Sequence, residues 1–187
     1  MYTITDASRE ALIRLTESAG AYKAGIVSVE DIPFCPELRQ LCESNQCGNY
    51  GKSWTCPPAV GKVEDLIRQA KGYQSALVYQ TVSQLEDSFD IEGMQEGAKR
   101  HNRITDAVSQ QVREVLGPDI LQLSAGGCPI CEVCAKKEEK PCRFPDRALA
   151  SLEAYGIFVS QLAELAGMKY INGVNTVTYF GAFFFHE

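Results

Sequence analysis

The chain has 187 residues, enough for one domain with a full hydrophobic core. Its 18 Lys and Arg against 24 Asp and Glu leave a formal charge of −6, which argues against general nucleic-acid binding and against docking on anionic membranes. No window has the length and apolarity of a membrane span, and the N-terminus lacks a basic-then-apolar signal pattern, so a cytoplasmic protein with no nucleic-acid or membrane partner is expected. In that compartment eight cysteines point to metal ligation rather than to a disulfide framework.

The first element expected is a helix from Asp6 to about Glu17. Ala7, Ala11, Leu12 and Leu15 recur there at helical spacing, with Asp6 as cap and Gly20 as stop. Residues 24–32 are β-branched and read as a first strand. The 29 residues 33–61 show no element of their own, which a folded domain tolerates when something else organises the loop. Four cysteines are the candidate organisers: Cys35, Cys42, Cys47 and Cys56, with gaps of six, four and eight residues. The spacing matches no common motif. Its surroundings are more telling, because Gly48 and Gly51 allow close wrapping, Trp54 can keep water from a cluster, and Cys56-Pro57 forms a turn frequent in cluster loops. The alternatives are zinc, or buried free thiols with Trp54 as a core residue.

A short helix is expected over 63–70, ended at Gly72, and a strand over 74–82. That strand is nearly continuous in apolar residues, as if covered on both faces. Residues 83–93 read as a surface loop and 95–116 as a long helix stopped by Gly117-Pro118. The helix carries Lys99, Arg100, His101 and Arg103, read as a solvated basic face, with His101 a surface or packing residue rather than a ligand.

A third strand over 119–124 runs into GGCPICEVCAKKEEKPCRFP, residues 126–145. Cys128, Cys131, Cys134 and Cys142 follow the pattern Cys-x2-Cys-x2-Cys-x7-Cys. Three thiols at three-residue steps let one loop wrap three corners of a cubane and a fourth closes it, so a [4Fe-4S] cluster is the favoured occupant. A tetrahedral zinc ion is the alternative, followed by disulfides or inert thiols. Residues 148–166 have a helical pattern interrupted around Gly156, and 174–185 form a last strand whose aromatic run reads as core rather than as a docking patch.

Strands separated by helices imply crossovers. The expected architecture is a single α/β domain across 1–187, with a four-stranded, largely parallel sheet and helices on its faces. The two cysteine-rich metal-binding loops, 33–61 and 126–145, would then leave the carboxyl edge of the sheet as neighbours. No dinucleotide fingerprint, P-loop or radical S-adenosylmethionine spacing is present. With two histidines in the chain, chemistry would have to come from the metal centres or from a partner.

The segments CGNYGKSWTCPP (47–58) and GGCPICEVCAKKEEKPCRFPDRALASLEAYGI (126–157) together resemble the domain-of-unknown-function family of predicted metal-binding proteins, common in anaerobic bacteria and archaea. The likeness extends over most of the chain. It implies an iron–sulfur or other metal-binding protein of anaerobic metabolism, with all eight cysteines as ligands and no catalytic residue. Three functions follow as expectations. The first is electron transfer between two [4Fe-4S] clusters and a redox partner protein. The second is a zinc-stabilised interaction module, and the third an enzyme whose cluster binds substrate at a free iron, which four cysteines per set argue against. A homo-oligomer is compatible with each.

Overall fold

The computed structural model describes residues 5–187; residues 1–4, the start of the stretch read for a targeting signal, lie outside it. In chain order the elements are α1 (Asp6–Ser18), β1 (Lys23–Ser28), α2 (Arg39–Glu43), α3 (Val63–Ala70), β2 (Ser75–Gln84), α4 (Ile91–Leu116), β3 (Ile120–Leu123), α5 (Val159–Leu165) and β4 (Thr176–Phe185). Two helices start on side-chain caps. Thr5 accepts from the Ser8 amide ahead of α1, and Asp90 accepts from the amides of Gly93 and Glu86 ahead of α4. No helix among the described residues is long and apolar enough to cross a membrane.

The sheet corrects the expected topology. Its order is β1–β2–β4–β3, and all three hydrogen-bonded pairs are antiparallel, so it is not a largely parallel sheet. The reason lies in the connections. After β1 the chain makes a long excursion and re-enters β2 at the same end, since Ser28 pairs with Ser75, so α3 is not a crossover. The α4 helix does cross, and β3 runs parallel to β2, but β4 then enters between them in the opposite sense. The two outer strands β1 and β3 therefore point in opposite directions, and the cysteine loops that follow them do not leave from one carboxyl edge.

Continuous apolar strands reflect cover on both faces. On one face Leu77, Tyr79, Phe183 and Phe185 pack against Ile104, Val108 and Val112 of α4. On the other, Ala76, Val78, Phe180, Ala182 and Phe184 pack against Leu66 and Ala70 of α3, Leu162 and Ala163 of α5, and the irregular segment Leu152 to Ile157. Each fully buried Phe contributes roughly 1.5–3 kcal/mol, which makes the aromatic run of β4 the centre of both cores.

Residues 148–158 are not helical as expected; only a single 3-10 turn, Glu153–Tyr155, precedes α5. The segment pairs instead with both neighbouring loops. His101 is buried at 1% exposure, with Nδ1 2.9 Å from the Thr81 hydroxyl and Nε2 3.2 Å from that of Ser124. Burial pushes its pKa down to about 4, so the ring is neutral at pH 7 and joins α4 to β2 and to the end of β3. Lys99 and Arg103 are exposed and pair with Glu96, as a solvated face would.

Candidate metal centre

The segment Ser151 to Phe158, SLEAYGIF, is the platform on which both cysteine loops are built. Ser124, just past β3, donates its amide to Ala150 and accepts from Leu152, both at 3.0 Å, and this pairing launches the second loop. On the other side Phe34 pairs with Ile157, and the Cys35 amide donates to the Gly156 carbonyl at 2.6 Å. Arg39 Nη2 adds a bond to the Ala154 carbonyl at 3.2 Å. Gly156 has φ +67°, and a Cβ there would stand 3.1 Å from the Cys35 carbonyl oxygen, so the site takes no larger residue without strain. Strands of opposite direction thus deliver loops that meet.

All four thiols of the second set, Cys128, Cys131, Cys134 and Cys142, line one cavity together with Ser53, Trp54 and Thr55 of the first loop. Burial pushes the Cys128 thiol up; the Ile130 amide offsets this in part, and the neighbouring thiols Cys142, Cys131 and Cys134 add to it. Cys134 goes the other way. Burial raises it, but the amides of Lys136 and Trp54, the Ser53 hydroxyl and the Arg143 charge together bring its thiol below the ordinary value. Amides and hydroxyls aimed at thiols are the surroundings a thiolate-ligated metal uses. The enclosed space is about 20 Å³, room for about one water, so a group larger than a single ion would require the loop to open.

Three thiols of the first set, Cys42, Cys47 and Cys56, line a second cavity of about 360 Å³. Burial pushes Cys42 and Cys56 up. Arg39 opposes this at Cys42, and the hydroxyls of Ser53 and Thr55 oppose it at Cys56. Cys47 raises both, and Cys134 of the other set acts on Cys56. Cys35 is placed apart. Its thiol donates to the Glu37 carboxylate at 3.2 Å, and the helical turns Pro36–Leu38 and Arg39–Glu43 separate it from Cys42. Among the described residues no three His, Cys, Asp or Glu are grouped to hold a single metal ion.

The two cavities share a wall. Thr55 lines both, and Gly126 and Gly127 line the cavity of the first set immediately before Cys128 enters that of the second set. Trp54, expected to shield its own loop's centre, lines the cavity of the other set instead. Ser53, Thr55 and Glu153 were not singled out from the sequence; hydroxyls flanking a Trp two residues before a Cys were the available signal.

A family model described as predicted metal-binding protein matches residues 25–185, from β1 to the end of β4 and through every cysteine. Searches of curated proteins and of solved structures gave no match. The match covers more than half of the chain, and two cysteine-lined cavities lie inside it: the chain belongs to the DUF2284 family of predicted metal-binding proteins.

Proposed function

We propose that the chain is a cytoplasmic iron–sulfur protein of anaerobic metabolism that carries two [4Fe-4S] clusters side by side and exchanges single electrons with a partner protein. The observation that supports it best is the shared wall, since Thr55 borders both cavities and Cys134 of one set raises the Cys56 thiol of the other. Clusters in these places would supply reversible one-electron transfer.

Cys128, Cys131, Cys134 and Cys142 would hold the second centre, and Cys42, Cys47 and Cys56 contribute to the first. The amides of Lys136, Trp54 and Ile130 and the hydroxyls of Ser53 and Thr55 would spread thiolate charge, which favours the reduced state. Trp54 and Phe144 in the cavity wall limit water. Zinc on the same four thiols of the second set is the second reading, favoured by the small enclosed space of about 20 Å³, and metal and sulfide analysis separates the two.

Low-temperature electron paramagnetic resonance of the dithionite-reduced protein tests the proposal. Two signals broadened or split by mutual spin coupling are expected; an uncoupled pair, or no signal at full iron content, would count against side-by-side one-electron centres.

A further inference from the structure

We infer that the first centre is held by three cysteines, Cys42, Cys47 and Cys56, and that its fourth iron faces a cavity that binds a small ligand with an apolar body and a neutral nitrogen or oxygen donor. The inference rests on the two-cluster reading and adds a binding site to it. Four cysteines in the first loop had argued against an open coordination position, and the structure removes that argument.

Cys35 stands at the start of two successive helical turns, and Cys42 lies near their end. Cys35 does not line the cavity that Cys42, Cys47 and Cys56 share, and two helical turns of backbone stand between it and Cys42. Backbone bonds fix this placement. The Cys35 amide is held by Gly156, its carbonyl accepts from Leu38, and its thiol is turned to Glu37. Cys42, Cys47 and Cys56 in contrast share one cavity and influence one another's thiols.

The two cavities differ in a way that matters for chemistry. Four thiols of the second set enclose about 20 Å³, whereas three of the first face about 360 Å³. A cubane on these thiols would take part of that space, and the rest is what a ligand of an exposed iron requires. The wall sets the ligand's character. Leu38, Leu41 and Ala154 supply apolar surface, and Leu41 is 67% exposed at the lip with nothing over it. Glu153 is the one charged side chain in the lining. Three thiolates and that carboxylate outnumber the one cation beside them, Arg39, which lies against Cys42 and the Ala154 carbonyl, so the site disfavours anions and a neutral amine, imidazole or alcohol group is the donor that suits it.

Imidazole added to the anaerobically purified, reduced whole chain tests the site. It should shift the resonance of one centre and leave the other unchanged, and the shifted signal should be the one missing from Cys47→Ser. Acetate, similar in size but negative, should need at least tenfold higher concentration. Cys35→Ser should keep about eight iron per chain and respond to imidazole like the wild type, while Cys42→Ser, Cys47→Ser and Cys56→Ser each lose about four. Loss of about four iron from Cys35→Ser, or imidazole leaving both signals of the wild type unchanged, would overturn the three-cysteine site with the two-cluster reading intact. Acetate acting as strongly as imidazole would overturn the ligand class. A wild-type chain without iron and sulfide would overturn the cluster reading itself.

Discussion

The indole Nε1 of Trp54 donates a hydrogen bond to the carbonyl oxygen of Lys140 at 2.8 Å, and this contact ties the first cysteine loop to the second. The Lys136 ammonium lies 5.0 Å from the same ring's centre. Trp54→Phe keeps a ring and removes the donor, at a cost of about 1 kcal/mol, which for a chain of this size lowers Tm by about 2–4 °C. The visible absorbance of the second centre should also bleach faster in air than in the wild type. Thermal scans and bleaching rates check both; equal bleaching would mean that Trp54 does not cover that centre.

Gly156→Ala combines two penalties, a left-handed backbone and a Cβ 3.1 Å from the Cys35 carbonyl oxygen and from Ile67 Cδ1. The expected loss is about 2 kcal/mol. Gly51 has a similar φ of +71° and nothing near its absent side chain, so Gly51→Ala should cost about half as much. Chemical denaturation of the two variants isolates the contact with the first loop. Equal losses would show that the Gly156 platform does not press on Cys35.

Acid should destabilise the protein through His101. Its folded pKa of about 4 lies below the unfolded value of 6.5, so the unfolded chain binds the extra proton first. Stability from the neutral ring is fully present above pH 6.5 and is lost as pH falls toward 4, by at most about 3 kcal/mol. His101→Gln should be less stable at pH 7 and show a flatter slope across that window. An unchanged slope in the variant would assign the acid loss to other groups.

The two cysteine sets should load separately. Cys131→Ser is expected to lose about four iron and keep the first centre, and Cys47→Ser to lose the other four. In each variant the surviving signal should narrow, because its spin partner across Thr55 is gone. Iron counts with resonance spectra decide this, and loss of both centres from either substitution would indicate a common folding requirement.

The positions of α1 and α3 were readable because periodicity and stops coincide, whereas α2 lies in a stretch read as having no element of its own. The 63–70 helix was expected at its observed bounds, and α1 within a residue of them. α4 begins four residues earlier than expected, since Gly93 and Gly97 disguise a first turn that the Asp90 cap fixes. Sheet direction was not readable. An apolar run such as residues 180–185 reports cover on two faces, and a central antiparallel strand between helices has the same cover as a parallel one. The 148–158 stretch has helical spacing, but Ser124 and Phe34 claim its backbone as pairing partner and Gly156 turns it left-handed. At the site, eight cysteines were visible as two sets. That Cys35 lies outside the cavity lined by the other three of its set was not, because its placement rests on a bond to Gly156, 121 positions further along the chain.

Metal and acid-labile sulfide analysis of protein purified without oxygen tests the central claim most directly. Two cubanes predict about eight iron and about eight sulfide per chain. One or two zinc per chain with no sulfide would contradict the account and leave a structural metal site in its place.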